Sequence, residues 1–251
     1  MTEADAQPDD RPSPPPREPP SSRARPSAPA WAPWVALLAM SAATASVLQI
    51  ALAPERQGAN ALFVGLFAVY LVGSIAALVG YKRRGELHLV KPRAGDLTFG
   101  ALVAFLLFGL TFVVHALVTS PGSERHGWII RVYLLMGDPF AESRHMVAAA
   151  AALIGLMEEL SWRGLVTPLL EERLGTLRAN VLSTVAYAAA HTPALFLLSD
   201  PLAGPNPLIP LAALGCGAAW SYLRWRMERM PPVLLSHALF TWMVVEFPLW
   251  S

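Results

Sequence analysis

The sequence predicts an all-α membrane protein with about seven transmembrane helices, and three properties of the chain support this fold class. Hydrophobic residues make up 54% of its 251 residues, whereas charged residues make up only 15%. Apolar runs that are long enough to cross a bilayer as helices recur from Trp31 onward. Short polar or proline-containing stretches separate these runs. This composition is typical of a polytopic membrane protein and excludes a soluble globule.

Residues 1–30 differ in composition from everything that follows. They contain nine prolines together with Ser, Arg and Asp, so they cannot bury a hydrophobic core. We predict a disordered tail for residues 1–30 and a transmembrane helical domain for residues 31–251. The formal net charge is +1, and no basic patch is interleaved with aromatic residues, so the lipid bilayer is an expected partner and nucleic acid is not.

Each predicted transmembrane span begins and ends at a change in composition. The first span is not a cleaved signal peptide, because a long polar stretch precedes it and Pro54 follows its small residues directly. The predicted spans cover about residues 31–53, 61–80, 97–118, 146–170, 180–199, 208–223 and 233–250.

The distribution of Lys and Arg predicts the orientation of these spans. If the N-terminus is cytoplasmic, the loops at 81–95, 171–179 and 224–230 are cytoplasmic as well. These three loops hold ten Lys and Arg, against four in the loops on the other side. The positive-inside rule therefore predicts a multi-pass protein of the bacterial inner (cytoplasmic) membrane with a cytoplasmic N-terminus.

The fourth span contains three charged residues inside an otherwise apolar run. A charge at the centre of a bilayer costs roughly 2.5–3.5 kcal/mol on insertion scales, so such residues are usually paired and functional. Glu159 and Arg163 are four residues apart and share one helix face, which predicts an ion pair. Glu158 points about a quarter-turn away and has no charged residue at i+4, which leaves its carboxylate free for chemistry.

Two histidines interrupt later apolar spans in a similar way. His191 lies in the fifth span, one turn after Tyr187, and Pro193 is expected to bend the helix beside it. His237 lies in the seventh span, one turn before Thr241. One carboxylate and two imidazoles on separate membrane helices are the groups needed to activate a water molecule.

The order and spacing of these residues resemble the CPBP family of intramembrane proteases, which includes CAAX prenyl proteases and bacteriocin-processing relatives. The matching motifs are Glu158-Glu159-x-x-x-Arg163, Tyr187-x-x-x-His191 and His237-x-x-x-Thr241, within about residues 146–242. Two positions depart from the family pattern: Tyr187 replaces Phe, and Thr241 replaces Asn or Asp. Thr241 keeps a hydroxyl but lacks the amide.

The resemblance implies a role for each motif residue. Glu158 and His191 would hold and deprotonate the attacking water, and His237 with Thr241 would stabilise the oxyanion. Glu159 and Arg163 would anchor the helix. The substrate would be a membrane-associated or membrane-anchored peptide or protein, such as a CAAX-type protein, a bacteriocin leader or a C-terminal sorting tag.

A zinc-dependent mechanism is a second form of the same hypothesis. Glu158, His191 and His237 are acceptable zinc ligands, but the chain has no His-Glu-x-x-His motif, and we favour the metal-free form.

Two other functions compete with the protease. The first is a non-proteolytic membrane scaffold or immunity protein with the same fold, which the Thr241 departure favours. The second is a proton-linked transporter that relays protons through buried Glu and His, although the two halves show no internal repeat.

Overall fold

The protein is helical throughout the part of the chain that the structure describes. The computed structural model describes residues 28–56, 60–137 and 141–249, so the predicted tail falls largely outside it. Within these ranges there is no β-strand, only an isolated bridge between Asp200 and Gly204, and the all-α prediction is confirmed. The helices are α1 Ala32–Ala51, α2 Ala61–Arg84, α3 Asp96–Val118, α4 His126–Leu134, α5 Arg144–Ser161, α6 Thr167–Leu174, α7 Thr176–Ala190, α8 Pro193–Leu197, α9 Leu208–Met227 and α10 Pro231–Glu246.

Three of the described helices are long and apolar enough to cross a membrane, and these are α1, α2 and α3. Only 22% of the most apolar window of α2 and 6% of that of α3 is buried inside the protein. These helices therefore present hydrophobic side chains outward, as a bilayer requires. The other four predicted spans, which correspond to α5, α7, α9 and α10, remain predictions.

The motif helix α5 lies at the centre of the helical packing. Helix α10 packs against α5 and also against α3, while α2 packs against another side of α5. Helix α7 packs against α9 and against α1. The largest buried hydrophobic cluster surrounds this centre and includes Tyr70, Trp162 and Tyr187. A helix enclosed by protein can carry polar residues that a lipid-exposed helix cannot, which explains the charged residues of α5.

A π-helical turn, Trp162–Val166, joins α5 to α6, so the motif helix continues to Leu174. Arg163 lies in this turn and is fully buried. Gly175 then ends the helix with a φ of +74°, a left-handed conformation that glycine adopts without a steric penalty. Single π-helical turns inside α-helices occur frequently at functional sites.

The predicted bend beside His191 is a complete break in the structure. Helix α7 ends at Ala190, His191 caps it, and Pro193 begins the short helix α8. The carbonyl of Ala189, which Pro193 cannot satisfy, accepts hydrogen bonds from the backbone N–H and the hydroxyl of Thr192. The break leaves His191 at a helix end, where its ring is directed by local contacts.

Candidate active site

Three helices bring one carboxylate and two imidazoles together inside the protein. Glu158 on α5 lies 3.7 Å from His191, measured from Oε1 to Nε2. Its other oxygen, Oε2, lies 3.8 Å from Nε2 of His237 on α10. Glu158 and His237 are buried, and His191 is partly buried. Side chains from three separate predicted spans therefore converge on one buried point.

Local contacts determine which ring nitrogen of His191 faces Glu158. Nδ1 of His191 lies 2.8 Å from the backbone carbonyl of Tyr187, and a carbonyl oxygen can only accept a hydrogen bond. Nδ1 therefore carries the proton, and in the neutral ring Nε2 has a free lone pair. The Tyr187 ring packs edge-on against the imidazole, with 4.7 Å between centroids. Tyr187 thus orients His191 with both its backbone and its side chain.

His237 is held on the opposite side by the second glutamate. Its Nδ1 lies 2.9 Å from Oε1 of Glu159, and Nε2 is the nitrogen that faces Glu158. The indole of Trp220 on α9 stacks on the imidazole at 3.7 Å between centroids and 17° between planes. Trp220 is itself fixed by a hydrogen bond from Nε1 to the hydroxyl of Ser236. The ring of His237 therefore has one permitted orientation.

Arg163 and Glu159 form the predicted ion pair, with 3.0 Å between NH1 and Oε1. Arg163 also donates from NH2 to the carbonyl of Gly217 at 2.8 Å and from Nε to the hydroxyl of Ser221 at 3.4 Å. Since the same Oε1 contacts both Arg163 and His237, the ion pair extends to the imidazole. The sequence predicted the pair but did not show that it positions His237.

Glu158 has no cationic partner four residues along the helix, as predicted, but it has a neutral hydrogen-bond donor. The phenol of Tyr70 on α2 donates to Oε1 of Glu158 at 2.6 Å. Thr44 on α1 lies behind the phenol, with 3.2 Å between the two hydroxyl oxygens. Tyr70 and Thr44 are fully buried. Glu158 is therefore held in place by the helices that precede the motif segment.

Thr241 lies one turn after His237 on α10, and both side chains approach Gly155 of α5. A Cβ atom at Gly155 would lie 3.2 Å from Nε2 of His237 and 3.3 Å from the hydroxyl of Thr241. Glycine at this position therefore allows α10 to approach α5 closely enough for His237 to reach both glutamates. The hydroxyl of Thr241 is on the same side of α10 as Nε2.

Sequence reasoning missed the residues that support the motif side chains: Thr44, Tyr70, Trp220, Ser221 and the close-packing Gly155 and Gly217. A signal existed for Tyr70 and Thr44, because hydroxyl groups inside long apolar spans need hydrogen-bond partners. No comparable signal existed for Trp220, since an aromatic residue in an apolar run is typical of any membrane helix.

The donor atoms of the candidate zinc set are more widely spaced than the ligands of a tetrahedral ion. Ligands at about 2.0–2.1 Å from zinc lie roughly 3.3 Å from each other, and the two Glu158–imidazole separations are 3.7 and 3.8 Å. Across the described ranges, no group of three His, Cys, Asp or Glu residues is arranged to hold a metal ion. We therefore derive no step through a metal.

Comparison with known families supports the motif assignment. Residues 140–243 match the family model of the type II CAAX prenyl endopeptidases, described as Rce1-like. The matched segment contains all three motifs, from Glu158 to Thr241, but neither Thr44 nor Tyr70. No curated protein and no solved structure matched the chain.

Proposed function

We propose that this protein is an intramembrane endopeptidase that cleaves a membrane-anchored substrate. The proposal starts from the match of residues 140–243 to the Rce1-like endopeptidases of the CPBP protease family. The family indicates a membrane protease with a peptide or protein substrate. One observation gives the strongest support to the proposed catalytic residues: the Nε2 atoms of His191 and His237 face the Glu158 carboxylate at 3.7 and 3.8 Å.

Water activation is supported by the chemistry of the groups that face each other. Ionised Glu158 and neutral Nε2 of His191 are both hydrogen-bond acceptors, so neither can donate to the other. Their separation of 3.7 Å allows one water molecule, at ~2.8 Å from each, to donate to both. A lone pair of that water remains free to attack a substrate carbonyl carbon. We assign general-base catalysis to Glu158 and water orientation to His191.

Oxyanion stabilisation is the role proposed for His237, with Thr241 beside it. Because Nδ1 donates to Glu159, His237 has a second N–H only as the imidazolium, and that N–H at Nε2 points into the site. Together with Arg163, this imidazolium balances the negative charges of Glu158 and Glu159. A charge-assisted donor aimed at the developing oxyanion is the largest single contribution in many hydrolases.

The proposed reaction balances as ordinary amide hydrolysis. The water oxygen forms a bond to the scissile carbonyl carbon, while its proton passes to Glu158 and the carbonyl electrons move to the oxygen. When the tetrahedral intermediate collapses, the C–N bond breaks and the proton on Glu158 passes to the leaving amine. The products are a carboxylic acid and an amine, and Glu158 is ionised again.

We propose that the site is buried inside the inner membrane, with the N-terminus in the cytoplasm. The Lys and Arg bias of the loops supports this orientation. Glu158 lies 17 residues before Gly175, the glycine that ends its helix, and His191 lies 16 residues after Gly175. At 1.5 Å per residue, both groups are roughly 24–26 Å from that loop along straight helices, deep enough to need a hydrated cavity.

The proposal is tested by sequencing peptide termini in membranes from cells that express the wild type or Glu158→Gln. New termini beside hydrophobic segments should form with the wild type and fall by about 10²- to 10⁴-fold with the variant, because the general base is lost. Both proteins should be equally abundant. Identical termini at equal abundance would reject the protease.

The same assay tests the metal-free form in isolated membranes. A strong chelator is expected to leave the rate of terminus formation unchanged. Loss of cleavage on chelation, with recovery on adding zinc, would replace the metal-free mechanism by a zinc-dependent one.

A second candidate function is a non-proteolytic membrane scaffold or immunity protein. The observation that favours it is Thr241, which supplies a hydroxyl where the family pattern has Asn or Asp. Under this alternative, restoring the amide would raise cleavage greatly.

A further inference from the structure

Tyr70 contacts the proposed catalytic base from outside the segment that carries the family motifs. It lies on α2, 88 residues before Glu158 in the chain, and its hydroxyl is 2.6 Å from Oε1 of Glu158. The matched family segment begins only at residue 140. Tyr70 is fully buried, so its hydroxyl has no access to solvent as an alternative partner.

The direction of the hydrogen bonds follows from the groups involved. An ionised carboxylate can only accept, so the single proton of the Tyr70 hydroxyl is donated to Glu158. The Thr44 hydroxyl, 3.2 Å from the Tyr70 oxygen, must then donate to Tyr70. The result is a directed chain from Thr44 through Tyr70 to Glu158.

Two further hydroxyls fix the position of Tyr70 relative to α5. Ser74, one turn after Tyr70, donates to the backbone carbonyl of Met157 at 3.0 Å. The Ser161 hydroxyl on α5 shares its single proton between the backbone carbonyls of Met157, at 2.9 Å, and Tyr70, at 3.2 Å. Glycine at position 73 permits this close approach, because a Cβ there would overlap the side chain of Ser161. Helix α2 is therefore held in register with the catalytic segment on both sides of the phenol.

We propose that Tyr70, supported by Thr44, is a positioning residue that fixes the Glu158 carboxylate for catalysis. This inference rests on the proposed function of Glu158. The terminal torsion of a glutamate side chain is broad and has no strong preferred value of its own. The hydrogen bond from Tyr70 to Oε1 holds the carboxylate so that Oε1 faces His191 and Oε2 faces His237.

The test compares Tyr70→Phe with a matched control, Tyr81→Phe, in the full-length protein. Tyr81 lies on the same helix and is also buried, but its neighbours are Leu160 and Met230, away from Glu158. Cleavage is measured as the rate of formation of those peptide termini that arise with the wild type and not with Glu158→Gln. This rate is divided by the amount of the protein in the membrane. Tyr70→Phe is expected to slow cleavage ten- to hundredfold, the range for a lost hydrogen bond to a charged group. Tyr81→Phe should stay within about twofold of the wild type.

An infrared spectrum of the purified proteins in liposomes provides a readout that does not depend on a substrate. The carboxylate bands that disappear in Glu158→Gln belong to Glu158. These bands should change frequency in Tyr70→Phe, because a strong donor is lost, and should be unchanged in Tyr81→Phe. If Tyr70 acted only by packing, without the hydrogen bond to Glu158, these bands would not change.

The possible outcomes separate this inference from the proposed function. If Glu158→Gln cleaves like the wild type, the proposed function itself fails. If Glu158→Gln is inactive while Tyr70→Phe keeps the wild-type rate and bands, only the positioning role is overturned. If Tyr70→Phe does not accumulate in the membrane, Thr44→Val tests the same chain of hydrogen bonds, one hydrogen bond further from Glu158. We expect it to slow cleavage about threefold, and an unchanged rate would overturn the proposal.

Discussion

The two adjacent glutamates of α5 have opposite surroundings, although they are neighbours in the chain. Glu159 is fully buried, and its Oε1 contacts both the guanidinium of Arg163 and the imidazole of His237. Glu158 receives a hydrogen bond from the neutral phenol of Tyr70 and faces two imidazole nitrogens beyond hydrogen-bond distance. Consecutive residues on a helix are about 100° apart, so each carboxylate meets a different set of helices.

The difference is the basis for proposing that Glu159 is a structural carboxylate and Glu158 a reactive one. A carboxylate that is paired with a cation in the interior is stabilised as the ion and gives up its lone pairs to fixed donors. A carboxylate held by one neutral donor keeps acceptor capacity for a water molecule. We therefore expect changes near Glu159 to affect the protein's stability and changes near Glu158 to affect the reaction.

The largest effect in this comparison is expected from Arg163→Ala. Removal of the guanidinium leaves the buried Glu159 carboxylate without its permanently charged partner, which costs about 3–5 kcal/mol of stability. Membrane abundance and the thermal unfolding temperature of the purified protein should both fall well below those of the wild type. Arg178→Ala is the control, because Arg178 is exposed. If abundance and unfolding stay at the wild-type level while cleavage is lost, the division between the two glutamates is wrong.

A smaller effect is expected from Gly155→Ala, which tests the contact between α5 and α10. The new Cβ would lie 3.0 Å from Cδ2 of His237, so the imidazole must shift by a few tenths of an ångström. The rate of terminus formation per protein should fall about tenfold, because catalytic groups tolerate little displacement. Gly215→Ala, where a Cβ meets nothing within 4 Å, should retain the wild-type rate. Equal rates for both variants would contradict a tightly fixed His237.

The smallest effect is expected from Thr241→Asn, which restores the residue type of the family pattern. If the Thr241 hydroxyl already assists His237, the rate should change by less than about threefold, since one neutral donor replaces another. Cleavage per protein and membrane abundance are measured together. A rise of several orders of magnitude would instead support the scaffold or immunity protein.

The sequence predicted the ionisable residues of the site better than the residues that hold them in place, for a physical reason. Glu158, Glu159, Arg163, His191 and His237 stand out because polar groups are expensive inside apolar segments. The i to i+4 pairing of Glu159 with Arg163 follows from helix geometry alone and is confirmed. The catalytic roles of these residues and of Thr241 remain predictions, as do the N-in orientation and four of the seven spans.

Helix ends were less predictable than helix existence. The spans at residues 31–53 and 97–118 agree closely with α1 and α3. The fifth span, by contrast, is divided at His191 into α7 and α8. Proline at position 193 indicated a disturbance, and in the structure the Thr192 hydroxyl donates to the Ala189 carbonyl at the break.

By itself, the sequence determined that this is a helical membrane protein with ionisable residues in a protease-like order. The periodicity and hydropathy that predict a helix can be read from the residues of that helix alone, because they extend over only a few turns. Only the tertiary structure decided which residues meet across helices. The hydrogen bond from Tyr70 to Glu158, the sharing of Glu159 by Arg163 and His237, and the stacking of Trp220 on His237 all join distant segments. Such contacts depend on how the helices pack, which no single segment encodes.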